Sequence, residues 1–155
     1  MMNVTSRLDE LGIVLPTPAA PIAAYVPCVE ANGLLHVAGQ LPFREDKSLI
    51  CGRLGEALTV SEGAEAAHAC AVMLLAQVSA ALGGLERVRR VVKLGVFVNS
   101  TADFVDQPKV ANGASELMQA VFGEAGRHAR SAVGVSTLPL GVAVEIDAIF
   151  AIDPA

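Results

Sequence analysis

The chain has 155 residues, 53% of them hydrophobic and 17% charged, with a net charge of −5 from 11 Lys and Arg against 16 Asp and Glu. A chain of this length builds one core and buries roughly 68–70% of its unfolded surface, so it needs no disulfide or metal staple. The negative balance, and an aromatic content of 4% with no Trp, argue against a nucleic-acid partner, which calls for cations to meet phosphates and rings to stack on bases.

The thin polar complement predicts that some apolar surface is buried between copies of the chain. Cys28, Cys51 and Cys70 show neither a disulfide framework nor zinc-ligand spacing, and are expected to be reduced and mostly buried. Met1–Leu11 carries Arg7, Asp9 and Glu10 where a secretory signal is apolar, so a cytoplasmic location is expected. Ala66–Leu85 is a run of twenty residues without formal charge. Its Ala-rich makeup and the interruptions at His68, Gln77 and Ser79 predict a packed amphipathic helix rather than a membrane span.

Residues 1–20, with Pro16 and Pro18, read as a loosely ordered extension of a single domain covering 1–155. Ile22–Val29 and Leu34–Val37 form the first predicted hairpin, because Asn32-Gly33 supplies the two positive-φ residues of a type I′ turn. The charged segment Phe43–Ser48 is a loop, and Leu49–Arg53 a short edge strand. Thr59 with Glu62 three residues on is a capping-box pattern, and Gly83-Gly84 a stop. Between them Ala64, Ala67, Ala71, Leu74, Leu75, Val78 and Leu82 recur at helical spacing. Val91–Val98 is the next strand. Pro108 opens a second helix whose stripe is Val110, Ala114, Leu117, Val121 and Phe122, and Gly123 ends it. Ser131–Thr137 and Val142–Ala151 close the chain as a second hairpin. The class is α+β, with both helices on one face of a single mixed sheet.

In that closing hairpin, a turn at Leu138–Gly141 sets Thr137 opposite Val142 and Gly134 opposite Glu145. Val133, Val135, Val144, Ile146, Ala148 and Phe150 then share the apolar face beneath the helices. Arg130, Ala132, Gly134 and Ser136, with Ala143, Glu145, Asp147 and Ile149, share the other. Arg130 lies about 13 Å along the strand from the position opposite Glu145, at roughly 3.3 Å per residue. Two readings of these charges stay open. They form salt bridges between subunits, or Arg130 grips a substrate carboxylate with its planar fork while Glu145 acts on water or a proton.

Ala129-Arg130-Ser131, followed by Thr137-Leu138-Pro139-Leu140-Gly141-Val142-Ala143-Val144-Glu145-Ile146-Asp147-Ala148-Ile149, resembles the carboxy-terminal signature of the RidA/YjgF reactive-intermediate deaminases. Val37-Ala38-Gly39-Gln40-Leu41-Pro42 resembles that family's amino-terminal Ser-Gly-Gln-Ile-Pro block. Tyr25 stands fourteen residues before Gly39, as the family's substrate-side tyrosine does. Val91-Val92-Lys93, Val96-Phe97-Val98 and Asp103-Phe104 match its central strand and exit. The resemblance implies a chorismate-mutase-like fold, a homotrimer with ligand clefts between neighbouring subunits, and hydrolysis of enamine or imine intermediates such as 2-aminoacrylate to 2-keto acids and ammonia. It implies that Arg130 binds the substrate carboxylate, Glu145 positions or activates water, Tyr25 borders the cleft and Gly39 lines it. No metal or organic cofactor is expected, and the partners are small 2-imino or 2-keto carboxylates.

The chain departs from the pattern at Ala38 (serine in many members), Ala132 (cysteine) and Pro108 (asparagine), and Gly126-Arg127-His128-Ala129 replaces a proline-containing approach. Ala38 and Ala132 are thus carried over as cleft positions stripped of their polar groups. This favours a second reading, a non-catalytic trimeric module that binds small carboxylates. A third, ribonuclease activity, rests on Arg87, Arg89, Arg90 and Lys93, which read as a solvated face. His128 reads as an exposed loop residue, with local acid or base work as the alternative.

Overall fold

The computed structural model describes residues 3–18, 21 and 23–155. Asn3 caps a first helix, α1 (Val4–Glu10), through its side chain. The segment expected to be loose is therefore helical over that stretch. Leu8 is buried in the core and the Arg7 guanidinium donates to the carbonyl of Val121, which ties the helix to the body of the protein.

Strands β1 (Cys28–Ala31) and β2 (Leu34–Gln40) form the predicted hairpin, and Asn32 and Gly33 have φ of 52° and 75°, as the turn requires. The first strand is shorter than expected. Pro27 has no N–H to give a ladder, and its carbonyl instead accepts from Ala38; Ile22 lies outside the described residues. Leu49–Arg53 is not a strand: Leu49 and Cys51 make isolated bridges to Phe43 and Val142. Both edges of the strand it would join are already paired, so the segment crosses beyond the end of the sheet.

Helix α2 (Val60–Leu82) begins with the full capping box of Thr59 and Glu62 and ends on Gly83 in the left-handed conformation. It is long and apolar enough to cross a membrane, but its apolar surface is used within the fold. One side lies on the sheet and another on α3 (Gln107–Phe122), so burial extends beyond the predicted stripe to Gly63, Ala66, Cys70 and Met73. Cys28 is half-buried and Cys51 exposed, so only Cys70 matches the expected burial; all three thiols are free.

The helices come very close at Gly113 of α3, where a Cβ would collide with the carbonyl oxygen of Ala64. Glycine to alanine inside a helix ordinarily stabilises by about 0.5–1 kcal/mol. Here the collision reverses the sign, and Gly113→Ala is expected to destabilise by about 1–3 kcal/mol. A lowered urea midpoint with unchanged m-value checks this, and a raised midpoint refutes the close approach.

The remaining strands are β3 (Val88–Asn99), β4 (Ala129–Val135) and β5 (Val144–Ile152), in a five-stranded sheet ordered β1-β2-β5-β3-β4. The sheet is mixed, since β3 and β4 are parallel and every other pair antiparallel. This overturns the closing hairpin: β4 and β5 do not pair, because β3 lies between them. The turn at Pro139–Gly141 exists, with Leu140 at φ 59°, but it carries the chain across β3 to its far side.

The parity of the two strands changes with it. Leu94, Val96 and Val98 of β3 pair with Ala148, Ile146 and Val144 on one side and with Arg130, Ala132 and Gly134 on the other. Val144, Ile146, Ala148 and Phe150 do lie under the helices, fully or nearly buried. Arg130, Ala132 and Gly134 share that face. Val133, expected in the core, is on the opposite face and 46% exposed.

Candidate functional site

The carried-over residues fall into two groups on opposite faces of the sheet. Glu145 pairs with Phe97, which pairs in turn with Val133. Arg130 is therefore two strands and three residues from Glu145, about 14 Å between backbones at roughly 4.8 Å per strand and 3.3 Å per residue. Their side chains point to different faces.

The first group gathers around a bulge in β2. Val37 pairs with Ala148 and Gln40 with Ile146, which leaves one extra residue at Ala38-Gly39. Gln40 fixes this bulge: it is buried, donates to the carbonyl of Ala38 at 3.1 Å and accepts from the Gln77 amide at 3.3 Å. Gln40 and Gln77 are contributors that sequence reasoning missed. Gln40 stands within the Gly39-Gln40 block, but its partner Gln77 carries no motif, and only the return of α2 over β2 brings them together. A Cβ at Gly39 would stand 2.7 Å from Glu145 Oε2, so a larger residue there would push the carboxylate aside. The Glu145 carboxylate thus lies against the bulge. Its pKa is raised, first by burial and then by the charge of Asp147. Tyr25, Ala38 and Gly39 line a cleft of about 210 Å³ together with Phe43 and Met73.

The second group sits where β4 meets α3. Arg130 Nη1 donates to Asn112 Oδ1 at 2.8 Å and to Ser115 Oγ at 3.0 Å, and Nη2 to the carbonyl of Pro108 at 3.4 Å. Three acceptors on one helix hold the guanidinium, and among the described residues its Nε–H and second Nη2–H, the edge that matches a carboxylate, make no hydrogen bond. Asn112, Ser115 and Gln119 were missed as well. They recur at helical spacing along the polar border of α3, a signal hidden behind the apolar stripe beside it. Ala132 packs against the core from the same face.

His128 is half-buried rather than an exposed loop residue. Its Nδ1 lies 2.7 Å from the carbonyl oxygen of Gly126, which can only accept, so Nδ1 carries the proton. Nε2 then accepts from the Ser115 hydroxyl at 2.9 Å. Burial lowers the pKa of His128 and favours the neutral ring; the hydrogen bond to the Gly126 carbonyl raises it by less, and the Arg130 charge adds a still smaller lowering. The sequence Gly126 carbonyl, His128, Ser115, Arg130 is one connected hydrogen-bond chain.

Of the basic cluster, Arg89, Arg90 and Lys93 are exposed, as expected of a solvated face, while Arg87 and Arg90 also tie down neighbouring backbone. Arg87 pairs with Glu30 and donates to the carbonyl of Asp153, and Arg90 donates to the carbonyl of Arg127 at 2.6 Å. Among the described residues no group of His, Cys, Asp and Glu is placed to hold a metal ion.

Comparison with known proteins places this geometry in a family. The family model described as "YjgF/chorismate_mutase-like, putative endoribonuclease" matches residues 5–151. Protein TCP17 of Trypanosoma cruzi is 55% identical over 148 residues, 95% of this chain and 92% of that protein. The crystal structure of Atu1372 from Agrobacterium tumefaciens is 49% identical, with a TM-score of 0.90 over 97% of this chain and 92% of that one. That of RidA from the Antarctic bacterium Psychrobacter sp. PAMC 21119 is 28% identical, with a TM-score of 0.61 over 88% of this chain and 94% of that one. With its α+β, chorismate-mutase-like fold and the Arg130 and Glu145 signature in sequence order, the chain belongs to the YjgF/RidA family.

Proposed function

We propose that this protein hydrolyses small enamine and imine acids of the 2-aminoacrylate type to 2-keto acids and ammonia, in clefts formed between the subunits of a homotrimer. The observation that carries the reading is Arg130: its guanidinium is held by α3 with its carboxylate-matching edge left over. The substrate carboxylate docks there by two parallel charge-assisted hydrogen bonds. Water adds to C2 of the imine as Glu145 takes its proton. Glu145 passes that proton to the imine nitrogen, which gives the carbinolamine; the carboxylate then takes the hydroxyl proton and delivers it to the same nitrogen as the C–N bond breaks, releasing the keto acid and ammonia. No external oxidant or cofactor enters this balance.

The separation of Arg130 from Glu145 across the sheet supports the trimer. One ligand reaches both groups only if a neighbouring copy sets its Arg130 edge against the bulge where Gly39 meets Glu145, beside the cleft that Tyr25 lines. The sheet face that carries Glu145, Asp147 and the exposed Val133 is left uncovered by α2 and α3, and a second copy gives it cover. Light scattering on the eluting protein is expected to report about three times 16.0 kDa. A stable monomer removes the composite cleft and, with it, the mechanism.

Activity is tested by generating the imine in situ with an amino-acid oxidase or a dehydratase and trapping it with semicarbazide. Added protein is expected to lower the trapped fraction in a concentration-dependent way. A second reading, a trimer that binds small carboxylates without turning them over, is favoured by Ala38, Ala132 and Pro108 at positions where related clefts carry polar side chains. It predicts carboxylate binding with no loss of trapped imine.

A further inference from the structure

The cavity beside Arg130 measures about 200 Å³ and is lined by Ser115, Gln119, Gly126, Arg127, His128 and Arg130. No residue of this lining bears a carboxylate, and two carry guanidinium groups. Such a wall selects anions. His128 is fully occupied between Gly126 and Ser115, and Ser115 in turn fixes Nη1 of Arg130, so these groups shape the inner end of the cavity. Arg127 differs. Its partner is Glu124, at 3.9 Å, and the two side chains are 65% and 83% exposed, an ion pair too wet and too long to hold the side chain in place. The Gln119 amide stands on the same cavity wall.

From this arrangement we infer that the ligand is a diacid: its first carboxylate sits on the held fork of Arg130, and a second, at its far end, is met by Arg127 with the Gln119 amide. This rests on the reading of Arg130 as the carboxylate site and adds the substrate class, a 2-imino or 2-oxo acid with an anionic tail rather than a short apolar one. Arg127 is then a specificity-determining residue. It discriminates between substrates by a charge that monoacids do not use, and it leaves the reacting centre untouched.

The test compares 2-oxobutyrate with 2-oxoglutarate by calorimetry at fixed ionic strength. Wild type is expected to bind the diacid at least about tenfold more tightly, the usual scale of one added charge-assisted contact. Arg127→Ala should erase the difference while leaving 2-oxobutyrate binding unchanged, and Arg127→Lys should keep part of it. Because Arg127 is exposed, the variants keep the fold. Equal affinity of wild type for the two acids, or a preference that survives Arg127→Ala, overturns the inference and leaves Arg130 as a monoacid site. If wild type binds neither acid, the reading of Arg130 falls and the diacid inference with it.

Discussion

Glu145→Gln is expected to lower imine-hydrolysing turnover by about 10²–10⁴-fold, the usual range for a group that moves a proton in the transition state. The amide keeps the shape of the side chain against Gly39 but has no basicity. Binding of 2-oxobutyrate and the oligomeric state should change little. The pH profile supplies an independent check. The ionised carboxylate is the working form, and burial and Asp147 raise its pKa, so the wild-type rate should fall with decreasing pH at a higher pH than an ordinary carboxylate would give. Asp147→Asn removes one raising cause and should move that acid limb downward. If Glu145→Gln retains full activity, another group handles the proton, and Asp147 on the same face is the next to change. If it dissociates the oligomer in a protein whose wild type shows no turnover, Glu145 is an interface residue.

Local signals in the sequence were sufficient for the elements and insufficient for their pairing. Asn32-Gly33, the Thr59 and Glu62 box, Gly83 and Pro108 each act within a few residues, and each stands where it was expected. Strand pairing depends on contacts far apart in sequence. A four-residue turn between two strands defaults to a hairpin, yet β4 follows β3 and α3 as a strand-helix-strand unit, which favours parallel pairing of its two strands. Weighing that crossover against the turn would have placed β3 between β4 and β5. The error had a chemical consequence, because it put Arg130 on the face of Glu145. The structure sends Arg130 instead to the border of α3, where Asn112 and Ser115 receive it. The Glu145 side was more legible. Gly39 and its neighbours were identified as cleft positions, although the bulge that presses Gly39 against Glu145 depends on Gln77 from a helix thirty-seven residues away.

Arg130→Ala is expected to weaken binding of 2-oxobutyrate by at least about tenfold, since a charge-assisted hydrogen bond contributes about 1.5–3 kcal/mol and the fork makes two. In steady-state assays the loss should appear largely in KM if the carboxylate contact is equally strong in ground and transition states, and in kcat as well if it holds the imine carbon in line with the water on Glu145. Arg130→Lys separates charge from geometry. An ammonium keeps the charge but cannot present two parallel donors while also reaching Asn112 and Ser115, so it should recover only part of the affinity. The substitution also leaves acceptors on α3 short of a donor. Asn112 is exposed and water replaces the lost hydrogen bond there, so thermal stability should change modestly and the oligomer should persist. An unchanged affinity for 2-oxobutyrate in Arg130→Ala refutes the site. A trimer that dissociates in the same variant identifies Arg130 as a subunit contact. A trimer that persists with binding lost places the carboxylate of the ligand on the edge of Arg130 that α3 leaves uncovered.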